Sequence, residues 1–225
     1  MNFTDLGKIN YKDAWDFQHK LFNENIENKR LNKPTKNKLL FCEHNNVYTI
    51  GKSGNQSNLL LNNISLKDKG IEFYNIDRGG DITYHGHGQI VAYPIFDLDT
   101  LNIGTREYIY KLENTVIKTM EEYGIECGRL DGAAGIWIEP EIVANSRKIC
   151  AIGVRSSHRI TMHGLALNVN TDLTYYNYIN PCGFTERGVT SMQKELNKHI
   201  DFEDVKAALL KNFRNEFAFI PKQLL

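Results

Sequence analysis

Residues 147–169 read RKICAIGVRSSHRITMHGLALNV, and this stretch decides the fold class. It contains two short apolar runs, Lys148 to Val154 and His163 to Val169, separated by a polar, charged turn. Apolar runs of this length between turn-forming residues predict β-strands rather than helices. A third run, Gly135 to Ile138, predicts another strand just upstream.

Helices are predicted on both sides of these strands in the sequence. Apolar residues at helical spacing predict helices over Tyr11 to Arg30, over residues 108–123 with Gly124 as the stop, and from about Phe202 to Phe217 with Asp201 as the cap. Other strands are predicted over Lys38 to Cys42, Val47 to Ile50, Ile71 to Ile76 and Ile90 to Phe96. We therefore predict one α/β domain spanning residues 1–225, with a mixed sheet and a few covering helices.

Turn-forming residues and proline lead to three more predictions. Glu43 to Asn46 reads as a turn joining two strands, and Gly51 to Asn63, which is rich in Gly, Asn and Ser, reads as a loop. Pro94 lies inside the predicted strand Ile90 to Phe96. Since proline cannot donate a hydrogen bond to a neighbouring strand, it predicts an edge position or a bulge there.

Composition limits the function classes. Lys+Arg and Asp+Glu both number 27, so no global positive field attracts nucleic acid. The first ten residues lack an apolar signal-peptide core, and no apolar run approaches the roughly 18 residues of a membrane span. The four cysteines are far apart and form no CxxC pair, which favours reduced thiols and a cytoplasmic location.

Three of the four cysteines have ordinary explanations or no evident partner. Cys42 and Cys150 lie inside apolar strands, where a free cysteine usually acts as a small buried hydrophobe. Cys127 follows a helix. Cys182 differs because it lies between Pro181 and Gly183, on a turn that could present its thiol to a substrate. The local sequence leaves an incidental loop cysteine equally open.

A reactive cysteine must be a thiolate, yet a thiol with a pKa near 8.5 is only slightly ionised at neutral pH. A cation about 4 Å away, at an effective dielectric of about 20, favours the anion by roughly 4 kcal/mol, or about three pKa units before solvent reduces it. One well-placed lysine therefore suffices. Lys148 is the candidate, although a lysine entering a strand more often points to solvent.

A glycine-rich stretch, Arg78 to Gln89, has four glycines in twelve residues and lies between two predicted strands. Such a loop lets backbone amides approach a ligand, and it also serves as a plain bend. It lacks the GxxxxGK[ST] pattern of a phosphate loop, and no helix follows as in a dinucleotide fingerprint. His85 and His87 alone do not supply the three or four ligands of a metal site, so no metal is predicted.

The run His163 to Asn170 alternates small and apolar residues at period two. We expect one face of this strand to line a narrow apolar slot, with Gly164 and Ala166 leaving room for a chain. A tightly packed core strand has the same spacing, so this alternative stays open.

Together, residues 78–89, 147–153, 163–168 and 181–183 resemble the octanoyltransferase, or lipoyl(octanoyl) transferase, family of lipoate biosynthesis. The family pattern is similar to RGGxxTYHGPGQ, RKIAxIG, HGxALN and PCG, in this order. Glu43-His44 and Tyr48 to Gly51 also resemble its beginning, so the resemblance covers most of residues 40–190.

The resemblance implies a catalytic dyad of Cys182 and Lys148. It implies a largely antiparallel sheet of the biotin/lipoate–protein ligase type and no cofactor. It also implies an acyl-binding site lined by Arg78, Gly79, Gly80, Asp81, Ile82, Thr83, Tyr84, His85, Ala151, Ile152, Gly153, Gly164, Leu165 and Ala166.

The implied reaction transfers octanoyl from octanoyl-acyl carrier protein to a lysine of lipoyl domains in 2-oxoacid dehydrogenase complexes and the glycine cleavage H protein. Cys182 would carry the acyl group as a thioester, without ATP, nucleotide, nucleic acid or membrane. The sequence departs from the family pattern at His87, where proline is usual, and at Ser146, where glycine often precedes Arg-Lys. The first departure bears on loop rigidity or acyl preference, and neither falls on the dyad.

Three other functions remain open at this point. An ATP-dependent lipoate or octanoate ligase on the same fold would need no nucleophilic cysteine. A transferase acting between two lipoyl domains would use an amide donor. A non-catalytic acyl-binding module would hold the acyl group without passing it on.

Overall fold

The computed structural model describes residues 1–180 and 186–218, and all structural statements below refer to these ranges. The strands are β1 (Asn2–Lys8), β2 (Lys38–Glu43), β3 (Val47–Ile50), β4 (Glu72–Asn75), β5 (Ile82–His85), β6 (Gln89–Ile95), β7 (Gly128–Leu130), β8 (Ala133–Ile138), β9 (Arg147–Ser157), β10 (Ile160–Asn168) and β11 (Gly188–Val189). The helices are α1 (Tyr11–Arg30), α2 (Asn63–Asp68), α3 (Thr105–Glu122), α4 (Met192–Leu196) and α5 (Phe202–Glu216), with short 3₁₀ turns at Gln56–Asn58 and Leu173–Tyr178.

Two sheets form the framework of the described chain. The larger has eight strands in the order β1-β2-β6-β10-β9-β8-β7, with β11 also paired to β9. Its pairings are antiparallel except for β1–β2 and β9–β11. The smaller sheet has the order β4-β3-β5. The predicted mixed, largely antiparallel sheet flanked by helices is therefore confirmed.

Helices cover both faces of the large sheet because each face is apolar. The main core cluster joins one face to α3 and α5, through residues such as Val116 and Phe213. The second cluster joins the other face to α1, through Ala14 and Phe22. The predicted helix from Tyr11 to Arg30 is correct at both ends.

Most sequence predictions for the elements are confirmed, but four strands, β1, β5, β7 and β11, and two short helices, α2 and α4, were not predicted. β1 has few large apolar side chains and depends on its parallel pairing with β2, which the local sequence does not reveal. β5 lies inside the glycine-rich stretch that was read as a loop. Asn63, the last residue of the predicted loop, begins α2, and a 3₁₀ turn also lies within that loop.

The turn Glu43 to Asn46 joins two sheets rather than two strands of one. β2 belongs to the large sheet and β3 to the small one, so the chain crosses between sheets here. This crossing places the small sheet, and β5 with it, over part of the large sheet.

The expected edge position of Pro94 is wrong, because β6 lies between β2 and β10 in the large sheet. Pro94 pairs with Leu39 on one side. On the other side the β6–β10 ladder stops at Ala92 and resumes at an isolated bridge from Asp97. The sheet thus tolerates proline by interrupting one ladder. The Thr161 hydroxyl donates to the Pro94 carbonyl oxygen at 2.8 Å and partly bridges the interruption.

No helix in residues 1–180 or 186–218 combines the length and apolar character that crossing a bilayer requires.

Candidate active site

A cavity of about 370 Å³ lies between the small sheet and the large one. Strands β5, β6, β9 and β10 supply much of its wall, and loop residues and other elements complete it. The volume falls in the range of small-molecule pockets, roughly 300–1,000 Å³. Thirteen residues singled out in the sequence line it: Arg78, Gly80, Asp81, Ile82, Thr83, His85, Lys148, Ala151, Ile152, Gly153, Gly164, Leu165 and Ala166.

Two residues of the predicted acyl site do not line this cavity. The Gly79 N–H instead donates to the Val154 carbonyl oxygen at 2.9 Å, which ties the glycine-rich stretch to β9. The Tyr84 ring stacks on Tyr175 with centroids 4.9 Å apart, and its hydroxyl donates to Asn46 at 2.7 Å. Both residues are flanked in the sequence by residues that do line the cavity.

Gly164 plays a different part from the expected one. A side chain at this position would overlap the carbonyl oxygen of Ala92 and lie 2.6 Å from Pro94 Cδ. The missing side chain therefore admits the backbone of β6 rather than leaving room for an acyl chain. Ala166, two residues further on the same face, lines the cavity as Gly164 does.

Several cavity residues were not predicted for the site. Val91 and Tyr93 alternate on β6 and so share one face, which is a signal the period of the strand could have given. Tyr11 comes from α1, more than 60 residues away in sequence from the glycine-rich stretch. The remaining ones are Gly132, Ala133, Ala134, His163, Asn168, Tyr176 and Val189.

Lys148 reaches the cavity because β9 contains a β-bulge. Ile136 pairs with Cys150, but the next residue, Trp137, pairs with Lys148, so Ile149 is the extra residue. Consistent with this bulge, the adjacent Ile149 and Cys150 both lie in the core on the α3/α5 face. Bulges re-aim side chains and are frequent beside active sites.

The bulge decides the direction of the Lys148 side chain. In a regular strand, residues 148, 150 and 152 would share one face, and Lys148 would point with Cys150 into the core. The extra residue moves Lys148 to the face of Ala151 and Gly153, and all three line the cavity. An ammonium group thus stands in the wall of a pocket whose lining is largely apolar.

The Lys148 ammonium lies over an aromatic ring. Its Nζ is 4.6 Å from the centroid of the Trp137 indole, and the Arg187 guanidinium carbon is 5.8 Å from the same centroid. Both distances are within the range of cation–π attraction. Val189, two residues beyond Arg187, pairs with Lys148 in the β9–β11 ladder.

Arg78 braces the glycine-rich stretch from inside. Its guanidinium donates to the Thr49 carbonyl oxygen at 2.8 Å and to the Gly79 carbonyl oxygen at 3.0 Å. A side chain at Gly153 would lie 3.0 Å from Arg78 Cδ, so this glycine permits the close approach of the loop to β9. The loop and the strand therefore form one continuous wall.

Two buried histidines, His85 and His163, are among the residues that line the cavity. Burial lowers the pKa of His85 to about 3, so its ring is uncharged at neutral pH. His85 Nδ1 lies 2.8 Å from Gln89 Oε1. Gln89 donates its own amide to Asn168 at 2.9 Å, which makes Oε1 the acceptor and leaves His85 Nε2 unprotonated.

His163 also contributes to the wall and forms a hydrogen bond with Asp77. Its Nε2 lies 2.9 Å from Asp77 Oδ1, and the other oxygen of Asp77 pairs with Arg155. Burial lowers the pKa of His163, whereas the hydrogen bond from His163 is the main cause that lowers the pKa of Asp77. This cluster fixes the chain immediately before Arg78.

The two histidines that suggested a metal have separate partners. His85 is buried against Gln89, whereas the side chain of His87 is 55% exposed and pairs with Glu43 at 3.1 Å. Among the residues that the structure covers, His, Cys, Asp and Glu form no group of three or more arranged to hold a metal ion.

The described thiols are poor nucleophiles. Burial raises the pKa of Cys42 and of Cys150 well above the ordinary value, and raises that of Cys127 to about 12. Cys182, with Pro181 and Gly183, lies outside the described residues. Tyr176 and Val189, which lie before and after it in the sequence, both line the cavity.

Comparison with known proteins relates this site to a family. The model of the lipoyl protein ligase A/B catalytic domain matches residues 10–214. A Parabacteroides distasonis protein named octanoyltransferase is 51% identical over 216 residues, covering 96% of this chain and 98% of its own. A Bacteroides fragilis octanoyltransferase is 51% identical over 206 residues, covering 92% of this chain and 93% of its own.

Solved structures share the fold at low sequence identity. Plasmodium falciparum LipL1 in complex with lipoate has a TM-score of 0.71 and 20% identity, covering 100% of this chain and 64% of its own. Lipoate-protein ligase A bound with ATP has a TM-score of 0.69 and 16% identity, covering 96% of this chain and 85% of its own. At these identities the likeness concerns the fold alone.

Proposed function

Since this chain belongs to the lipoyl protein ligase A/B catalytic domain family, we propose how its cavity carries out the reaction for which its relatives are named. The chain is an acyltransferase that transfers an octanoyl group in lipoate biosynthesis, with lipoyl domains as its protein substrates. The donor is octanoyl-acyl carrier protein. The acceptors are lipoyl domains of 2-oxoacid dehydrogenase complexes and the glycine cleavage H protein, in the cytoplasm. Residues 1–225 act as one catalytic domain.

The observation that carries the mechanism is the position of Lys148. The bulge at Ile149 turns this lysine into the cavity wall, and the chain on either side of Cys182 supplies Tyr176 and Val189 to the same wall. These contacts support a Cys182 nucleophile close to Lys148. An ammonium group about 4 Å from the sulfur would lower the thiol pKa by up to about three units.

In the first half-reaction the Cys182 thiolate attacks the carbonyl carbon of the octanoyl thioester. A carbon–sulfur bond to Cys182 forms, and the tetrahedral oxyanion collapses by breaking the bond to the donor sulfur. The departing thiolate takes a proton, for which the Lys148 ammonium is the donor. The octanoyl group is then held on Cys182 as a thioester.

In the second half-reaction the lysine amine of a lipoyl domain attacks this thioester. Neutral Lys148 accepts the proton that the attacking amine releases, an amide forms, and Cys182 leaves as a thiolate. The second half-reaction thus regenerates the Cys182 thiolate and the Lys148 ammonium group with which the cycle began. The oxyanion needs N–H donors, and the Gly79 N–H is already bonded to Val154, so other backbone amides must supply them.

The cavity suits the octanoyl chain. Val91, Ile82 and Ala166 give it apolar walls, and its volume of about 370 Å³ is at the small end of ligand pockets. The buried histidines are neutral, so they avoid placing a net charge beside the hydrocarbon. Of the sixteen predicted site residues, thirteen line the cavity. Their contacts with the octanoyl chain remain predictions.

Intact-mass measurement tests the covalent intermediate. Incubation with octanoyl-acyl carrier protein should add one octanoyl group to the protein, and a lipoyl domain should then remove it. Cys182→Ser should lose transfer through a thioester. Cys127→Ser is the matched control, because its thiol is half-buried outside the cavity, and it should keep the adduct.

A Cys182→Ser variant with full turnover would remove Cys182 from the mechanism. Transfer that requires ATP would instead identify a ligase, and a stable adduct that lipoyl domains never discharge would identify an acyl-binding module. Lys148→Ala should raise the pH at which Cys182 is alkylated. An unchanged alkylation profile would leave Lys148 without its proposed role.

A further inference from the structure

We propose that Trp137 is a positioning residue that holds the Lys148 ammonium group in the cavity wall. The inference rests on the proposed function, since it matters only if Lys148 serves Cys182. It follows from strand register, burial and ring geometry around β8 and β9.

Pairing between β8 and β9 brings the two side chains together. Trp137 and Lys148 are direct cross-strand partners because the bulge at Ile149 shifts the register by one residue. Directly paired residues project from the same face of a sheet, with side chains in contact range. Without the bulge, Trp137 would face Ile149, and Lys148 would point into the core.

The Trp137 indole lies on the face of β8 opposite the core under α3 and α5. Its neighbours Ile136 and Ile138 both belong to the core cluster under α3 and α5, whereas Trp137 does not. Alternation along β8 therefore puts Trp137 on the cavity side of the sheet. Trp137 is only 2% exposed, so its ring is held by its surroundings and provides a fixed surface.

The indole contacts both the Lys148 ammonium group and the backbone of Ala133. Lys148 Nζ lies 4.6 Å from the ring centroid, and the indole N–H donates to the Ala133 carbonyl oxygen at 3.3 Å. Ala133 itself lines the cavity. The indole thus connects the ammonium group to the β7–β8 hairpin at the cavity rim.

The chemistry of the two groups explains the arrangement. A lysine side chain has four rotatable bonds, so an ammonium group is poorly localised unless something attracts it. The face of an indole carries negative electrostatic potential and attracts cations more strongly than a benzene ring does. Arg187, five residues after Cys182 in the sequence, also lies over this ring and adds a second positive charge there. In the proposed dyad, a localised Lys148 ammonium group and a second positive charge on Arg187 both favour a thiolate at Cys182.

The test compares the pH dependence of Cys182 alkylation in four variants. Iodoacetamide labels the full-length protein, and peptide mass spectrometry quantifies labelling at Cys182. Trp137→Leu should raise the pH midpoint of Cys182 labelling by about 0.5–1 pH unit. Trp137→Phe should raise this midpoint less, because a smaller ring remains. Lys148→Ala should raise it furthest. Trp15→Leu, which removes the other tryptophan of the chain, should leave it unchanged.

A double variant separates positioning from general loss of structure. If Trp137 acts through Lys148, adding Trp137→Leu to Lys148→Ala should raise the midpoint no further than Lys148→Ala alone. A further rise of the size seen in Trp137→Leu alone would overturn the inference. Circular dichroism establishes that each variant is folded, and if Trp137→Leu is not, Trp137→Phe decides.

The two proposals fail in different ways. A raised midpoint in Lys148→Ala with wild-type midpoints in Trp137→Leu and Trp137→Phe overturns the role of Trp137 and leaves the proposed function intact. A wild-type midpoint in Lys148→Ala overturns the dyad itself, and the role of Trp137 with it.

Discussion

At the scale of single residues, small side chains and buried polar groups hold the cavity in shape. Gly164 lets β6 approach β10 where Pro94 interrupts their ladder. His44 is buried behind the cavity and lies 2.7 Å from the hydroxyl of Tyr93, which lines it. Each of these contacts leads to a measurable consequence.

Gly164→Ala should destabilise the protein by about 1–3 kcal/mol, the usual cost of overpacking a core. The added methyl group would overlap the Ala92 carbonyl oxygen, which is backbone and cannot move without disturbing β6. Urea unfolding measures the change. Gly128→Ala is the control, because its methyl group would meet only Pro140 at an ordinary 3.5 Å. Equal losses in the two variants would contradict the packing argument.

Acid should destabilise the protein in part through His44. Burial lowers the His44 pKa from 6.5 to about 4, so the unfolded chain takes up a proton between these values that the folded chain does not. Stability is therefore unaffected above pH 6.5 and falls as pH drops toward 4. For this group alone the loss between pH 7 and pH 5 is about 2 kcal/mol.

His44→Gln should reduce that pH dependence. The variant will be less stable at pH 7, because His44 Nδ1 donates to the Ile9 carbonyl oxygen at 2.9 Å. Its further loss between pH 7 and pH 5, from urea unfolding at each pH, should be about 2 kcal/mol smaller than that of the wild type. His158→Gln, at an exposed position, controls for losing a histidine. An identical pH dependence in both variants would disprove this account.

At the scale of elements, helix α5 has the N-terminal cap and the buried face that its local sequence predicts. Asp201 accepts a hydrogen bond from the Asp204 N–H at 2.9 Å and caps the helix, as the sequence predicts. The helix then buries Val205, Leu209 and Phe213 against the large sheet. Both the start of α5 and its buried face follow from short-range pattern.

Asp201→Ala should cost about 1 kcal/mol of stability, the typical value of a lost N-terminal cap. Thermal or urea unfolding measures it. Asp201→Asn retains a capping oxygen and should lose less than half as much. If Asp201→Asn lost as much stability as Asp201→Ala, the effect would come from the charge near the helix end rather than from capping.

At the scale of the whole molecule, the two faces of the large sheet should unfold together. Trp15 lies in α1 and packs on one core cluster, whereas Trp137 lies in β8, so the two tryptophans report different regions. If residues 1–225 form one domain, Trp15→Phe and Trp137→Phe should each unfold in a single transition. In each variant, fluorescence and far-ultraviolet circular dichroism should have coincident urea midpoints, whereas separate midpoints would indicate two units.

The sequence by itself determined the kinds of element and most of their bounds. Helical and period-two spacing are short-range properties, so α1, α3, α5 and the strands around residues 147–169 were predictable. The motifs also predicted that Arg78, Lys148 and Gly164 belong to one site. Cys182 remains a prediction from the sequence, because it lies outside the described residues.

Tertiary structure alone decided which way the side chains point. A regular strand would have turned Lys148 away from Ala151, and only pairing with β8 introduces the bulge at Ile149 that brings them to one face. Tyr11 joins the cavity from α1. Register and contact between distant segments depend on backbone hydrogen bonds and packing across the whole sheet, which local spacing does not encode.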